Sequence, residues 1–221
     1  MKNIIVAIDG PAGAGKSTVS QIAADKLGFT YIDTGAMYRA VAYKALQQKA
    51  EVTDELIISV LPDIEITLKF ENAKTRVFES GKEITTEIRT PEINKIVSKV
   101  AALVPVREKL TELQRKMGQN ENVLMDGRDI GTFVFPNADV KIFLTASVEE
   151  RARRRYEELK AKGFDVDLKE IEKDIAKRDK LDSEREMAPL KKADDAILLD
   201  TTGLSIDEVV EKIITLCENA R

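Results

Sequence analysis

Apolar positions along the chain follow two rhythms. In the first, short unbroken runs stand between longer stretches of helical length: IIVAI at 4–8, FTYID at 29–33, NVLMD at 122–126, VKIFL at 140–144 and AILLD at 196–200. The run at 4–8 passes without alternation into Asp9 and Gly10, as a strand buried on both faces would. Such strands, separated by helix-length segments, predict β-α-β units and a mostly parallel sheet.

The second rhythm occupies 64–85. IEITLKF, TRVFE and KEIT alternate apolar and polar residues and are separated by ENAK and SG, which predicts a small antiparallel meander with one wet face, inserted into the α/β frame. A helix with Pro91 near its start follows, expected to run to about Gly118 with a break near Pro105. From 147 to 188 the chain is dense in charge and helical in pattern, with a turn at Gly163; Ser205 and Glu208 are spaced as a capping box for the last helix.

Composition narrows the chemistry. A chain of 221 residues, 43% hydrophobic and 33% charged, fits one domain with embellishments. The net charge of -4 supplies no basic field for nucleic acid or an anionic membrane, so any anion site is local. Apolar stretches fall short of the roughly 20 residues of a membrane span, and the run at the N-terminus is too short for a signal peptide, so the cytoplasm is expected. Cys217, the single cysteine, lies on an apolar helical face and offers no disulfide framework. The absence of histidine removes Ser-His-Asp triads, Cys-His dyads and histidine-ligated zinc. Carboxylates, Lys, Arg, backbone amides and a bound metal remain.

GPAGAGKS, from Gly10 through Pro11, Ala12, Gly13, Ala14 and Gly15 to Lys16 and Ser17, has the G-x-x-x-x-G-K-[ST] spacing of a phosphate-binding loop between a strand and a helix. Glycines let backbone amides turn toward phosphate, the helix N-terminus adds partial positive charge, Lys16 neutralises the β/γ region and Ser17 can supply an oxygen to Mg²⁺. Thr18 either supports the α-phosphate or caps the helix. The NKIV segment at 94–97 lacks the aspartate of a guanine-reading N-K-x-D, and no LSGGQ-like stretch is present. DTGAMYR at 33–39 follows the second strand, which puts Thr34 and Arg39 at the sheet edge where ligands bind in open parallel sheets.

Taken together, IDGPAGAGKST, DTGAMYR, LMDGRDIGT, the RD pair at 178–179 and APL near 188 resemble the bacterial cytidylate kinases (CMP/dCMP kinases), nucleoside monophosphate kinases of the P-loop class. The likeness runs the length of the chain and includes the inserted meander. It implies a three-layer α/β/α fold with a five-stranded parallel sheet. A core of about 1–37, 107–147 and 189–221 would carry a monophosphate-binding region of about 38–106 and a helical lid of about 148–188. It implies ATP-dependent phosphorylation of CMP and dCMP, with Mg²⁺ as cofactor, small-molecule substrates, no nucleic acid or membrane partner, and a monomer. Thr34, Arg107 and Asp129 resemble the cytosine readers, with Arg185 close to the base; Arg39 and Arg128 resemble the clamp on the monophosphate; Arg178 and Asp182 resemble the sugar contacts. Lys16, Arg128 and Arg178 are expected to matter most for the rate.

Cytosine presents an exocyclic amino donor where uracil presents an acceptor, so a carboxylate at Asp129 attracts one and repels the other. Asp126 is expected near Mg²⁺ through water, or as a cap for the loop after its strand. On the charged helix, Arg151 and Arg155 are four apart and would share a face, with Arg154 beside them. All three are candidates for ATP phosphates once the lid closes and excludes water, or for solvated pairs with neighbouring glutamates. Asp129 and the meander argue against a UMP/CMP or shikimate-type kinase on the same core. A module that senses ATP without transferring phosphate is the alternative from another class.

Overall fold

The computed structural model describes residues 3–49, 51–161 and 163–220. Along the chain the strands are β1 (Ile5–Asp9), β2 (Thr30–Asp33), β3 (Ile66–Glu71), β4 (Lys74–Glu79), β5 (Lys82–Glu83), β6 (Val123–Gly127), β7 (Val140–Thr145) and β8 (Ile197–Asp200). The α-helices are α1 (Lys16–Leu27), α2 (Thr34–Gln48), α3 (Asp54–Ser59), α4 (Pro91–Ala102), α5 (Val104–Met117), α6 (Val148–Ala161), α7 (Leu168–Glu184) and α8 (Ile206–Glu218). Five strands form the expected parallel sheet, in the order β2-β6-β1-β7-β8. Helices α1 and α8 pack on one face, where Val19, Ala23, Val209, Val210 and Ile213 meet Val6, Ile8 and Leu144. On the other side α2, α4 and α5 enclose a second core around Met37, Val41, Val97 and Leu110. The result is the three-layer α/β arrangement, and no helix among the described residues is long and apolar enough to cross a membrane.

Local chemistry sets the element boundaries. The phosphate-loop glycines are required by geometry: Gly10 has φ 153°, and a Cβ there would lie 1.9 Å from the carbonyl oxygen of Leu144. Asp33 caps α2 by accepting the amide of Ala36 at 2.9 Å. Leu103 is extended between α4 and α5, and Pro105 sits in the first turn of α5, where its missing N–H is not needed. The capping box of α8 forms in full between Ser205 and Glu208.

Strands β3, β4 and β5 form the separate antiparallel sheet. Asn72 and Ala73, at φ 53° and 55°, turn the first hairpin, and Ser80 and Gly81, at 48° and 78°, turn the second, as the right-handed twist of paired strands favours. Ile66 and Val77 face inward, and the Phe70 ring meets Tyr31 of β2 edge-on at 5.7 Å. The insertion is thereby anchored to the parallel sheet. Helices α6 and α7 pair with one another, and α7 also touches α4.

Candidate active site

The loop between β1 and α1 turns its glycines around Lys16, whose ammonium is buried and donates to the carbonyls of Gly10 and Pro11, both at 2.8 Å. Burial lowers the Lys16 pKa well below its usual value, and Arg128 adds to the effect. A cation held in this way is poised to gain from an arriving anion. Above the loop, Gly13 lies under α6: a Cβ there would sit 3.5 Å from Cβ of Arg151.

The three candidate lid arginines differ in environment. Arg151 is buried and donates to the carbonyls of Ala12 at 2.9 Å and Ala146 at 3.0 Å, while pairing with Asp179 at 2.7 Å. It braces the phosphate loop against α6 and α7. Arg154 donates to the carbonyl of Thr201 at 2.7 Å and to Glu150 at 2.8 Å, beside Gly15. Arg155 is half-exposed and pairs with Glu158 at 2.7 Å. The shared face expected for Arg151 and Arg155 is therefore split: one side chain points into the protein and the other to its rim.

Three aspartates lie at the carboxyl ends of three adjacent strands, Asp33 and Asp9 as the last residues of β2 and β1 and Asp126 as the last but one of β6, and all are buried. Asp126 gathers hydroxyls: Tyr31 donates to one carboxylate oxygen at 2.7 Å, Ser17 to the other at 3.0 Å, and Thr34 to its backbone carbonyl at 2.7 Å. Burial raises the Asp126 carboxyl to about 6, helped by the nearby Asp33 charge and opposed by Lys16 and the two hydroxyls. The described residues contain no cluster of three or more acidic, Cys or His ligands. Ser17 and Asp126 nonetheless offer hard oxygen donors beside the phosphate loop. They fit a Mg²⁺ ion, which takes one or two protein oxygens and completes its shell from phosphates and water.

The second cluster lies after β6. Asp129 accepts from Arg107 through one oxygen and from Arg185 at 3.1 Å through the other, and all three side chains are nearly sealed from solvent. Arg107 also lies over the Tyr38 ring, 5.4 Å from its centroid. Arg128 donates to Asp182 at 2.9 Å. Burial alone would push the Asp182 carboxyl up, but Arg128, Arg178 and Arg185 hold it below the usual range. Arg39 donates to Asn94, and burial lowers its pKa, with Arg89, Arg128 and Arg155 adding repulsion. Arg178 is pushed down to about 10 by burial and by Arg128, and its Nε has no hydrogen-bond partner among the described residues. Cations this crowded and this poorly compensated mark an anion site.

The two clusters share the carboxyl edge of the sheet. Asp129 opens a wide turn, Ile130–Val134, whose first two amides are held by Asp9 at 2.8 and 2.7 Å. Sequence reasoning overlooked Asp9, Tyr31, Asp33, Thr201 and Arg89, which pairs with Asp33 at 3.3 Å. A signal for Asp9 was available: a carboxylate ending an apolar strand, directly before the phosphate loop.

A family model described as Cytidylate kinase matches residues 6–219. A cytidylate kinase of Geobacillus sp. (strain WCH70) is 56% identical over 97% of this chain and 96% of its own. One from Alkaliphilus oremlandii is 56% identical over 98% of both chains. Among solved structures, a gluconokinase from Sinorhizobium meliloti shares the fold, with a TM-score of 0.53 at 13% identity over 99% of this chain and 93% of that one.

Proposed function

The chain belongs to the cytidylate kinase family, and from that membership we propose how its residues carry out the family's reaction, the ATP-dependent phosphorylation of CMP and dCMP. The observation that carries the reading is Asp129, a buried carboxylate gripped by Arg107 and Arg185 just after β6, the strand beside the one that leads into the phosphate loop. In this reading both carboxylate oxygens are oriented by the arginines, and the carboxylate accepts the cytosine amino group while Thr34 and Arg107 complete the base contacts. Uracil would set its carbonyl against the same carboxylate.

Arg39 and Arg128 hold the acceptor's phosphate, and Asp182 and Arg178 take the sugar, with Asp182 keeping Arg128 in place by its 2.9 Å bond. Gly10 to Thr18 cradle the ATP phosphates, Lys16 neutralises the β/γ region, and Arg154 borders the nucleotide at Gly15. Ser17, and Asp126 through water, would hold a Mg²⁺ ion, which would supply neutralisation of the phosphate charge. An oxygen of the CMP phosphate attacks the γ-phosphorus as the bond to the β-phosphate oxygen breaks, giving CDP and ADP. No side chain has to remove a proton, because that oxygen is already ionised; Lys16, Arg128 and Arg178 stabilise the charge of the transferring group. Arg151 acts from behind, fixing the phosphate loop to the lid. We propose a cytoplasmic monomer, as the resemblance to the family implies.

The test is ATP consumption with CMP, dCMP, UMP and AMP, on the wild type and on Asp129→Asn. Activity confined to the cytidine nucleotides in the wild type and blurred toward UMP in the variant is expected. UMP turnover equal to CMP in the wild type would remove the Asp129 role while leaving a kinase.

A further inference from the structure

Asp9 belongs to neither cluster as assigned above, yet it lies between them. Its carboxylate is 5% exposed and accepts the amides of Ile130 and Gly131, one on each oxygen, at 2.8 and 2.7 Å. Those residues directly follow Asp129 and begin the wide turn. In the chain, Asp9 is the last residue of β1 and adjoins Gly10. The fit is close, because a Cβ on Gly131 would lie 3.4 Å from the Asp9 carboxylate and 3.2 Å from the Lys141 side chain. Two oxygens accepting two consecutive amides fix both the position and the angle of the turn, which a single hydroxyl could not do. Burial raises this carboxyl to about 7, and Asp129 adds repulsion. The clasp is thus kept at some cost to the fold.

We propose that Asp9 is a positioning residue for the acceptor nucleotide: it clasps the turn after the base reader to the strand that carries the phosphate loop, and so sets the spacing between the two substrates. This rests on reading Asp129 as the cytosine contact and Gly10 to Ser17 as the ATP cradle. Misplacement of one reactant by a fraction of an ångström lowers transfer without weakening the other reactant's binding.

Asp9→Asn keeps the volume but turns an amide N–H toward a backbone N–H and opens half of the clasp. Gly131→Ala crowds it from the other side, against the Lys141 side chain and the Asp9 carboxylate, with every charge retained. Both are measured for KM and kcat with CMP and UMP, and for ATP binding by titration without acceptor. Asp9→Asn is expected to raise the KM for CMP on the order of tenfold, to narrow the CMP over UMP preference and to leave ATP affinity in place, with Gly131→Ala shifting the same way by less. An unchanged CMP KM and preference in Asp9→Asn, or in Gly131→Ala if the first variant does not fold, would overturn the proposal. So would a parallel loss of ATP affinity, which would make Asp9 a support of the cradle alone. Asp129→Asn serves as the reference: if it keeps full CMP preference while Asp9→Asn loses it, the base-reading assignment falls and with it the clasp's role through Asp129, whereas loss in both variants supports the two together.

Discussion

Arg107 and Asp129 form a buried ion pair, with the two side chains 1% and 6% exposed. Pairs of this kind are sensitive to losing one partner, because the survivor remains charged and out of water. Asp129→Ala would strand both Arg107 and Arg185 and should destabilise the fold by about 3–5 kcal/mol. Asp129→Asn keeps an acceptor oxygen and most of the packing. It should fold, and should reduce the CMP over UMP preference by about 1–3 kcal/mol, or roughly 5- to 150-fold in kcat/KM. A ratio equal to wild type would contradict the assignment.

Arg178 is expected to show a trade between stability and rate. Its guanidinium is buried, lowered to about 10 and lacks a partner at Nε, so the fold gains little from it. Arg178→Met should leave the melting temperature unchanged or raise stability by about 0.5–2 kcal/mol, while turnover falls on the order of 10²–10³-fold. Normal turnover would remove Arg178 from the transfer step.

For Arg151, stability and ATP binding should fall together. Breaking its pair with Asp179 and its bonds to Ala12 and Ala146 should cost about 3–5 kcal/mol in Arg151→Met, with weaker ATP binding as the loop loosens. Weaker ATP binding at wild-type stability would instead make Arg151 a direct ligand of ATP.

Asp126 and Asp9 should contribute stability that is present at low pH and declines as pH rises from the ordinary aspartate value of 3.8 toward about 7, because burial raises Asp126 to about 6 and Asp9 to about 7. Both groups bind their proton more tightly in the folded chain than in the unfolded one. Across this window the folded state holds protons that the unfolded state has released, so each rise in pH favours unfolding. Melting temperatures across the window check this, and Asp126→Asn should flatten the slope. An Asp126→Asn slope identical to wild type would reverse the assignment of that group.

Ser17→Ala removes a hydroxyl that bonds to Asp126 and, in the proposed site, a Mg²⁺ ligand. It should raise the Mg²⁺ concentration required for half-maximal rate about tenfold or more, while the KM for CMP holds. Chelation should stop transfer in the wild type. An unchanged Mg²⁺ requirement would place the ion elsewhere.

The strands were legible from their unbroken apolar runs, and the meander, the break near Pro105 and the α8 capping box because each rests on contacts within a few residues. The phosphate loop was legible for the same reason, since its glycines and Lys16 act through local backbone. The clasp from Asp9 to Ile130 and Gly131 crosses more than a hundred positions, and no local pattern encodes it. The wide turn after Asp129 depends on that clasp and was equally hidden. On α6, spacing put Arg151 and Arg155 on one face, but only packing against Ala12 and Asp179 separates the buried one from the one at the rim. Most residues that converge at the site were visible as motifs; their partners were not.

The strand order β2-β6-β1-β7-β8 also governs when the protein can acquire its shape. β1 and β2 are made early but do not pair with each other; each waits for β6, which arrives after the whole meander and both following helices have been synthesised. On the ribosome, the meander and its neighbouring helices can collapse through local contacts while the two early strands stay unpaired, because non-local pairing is the slow step of such folds. The half of the molecule built on the meander is then positioned to form first, and the parallel sheet with its phosphate loop closes around it only once the segment bearing Asp126 and Asp129 has emerged.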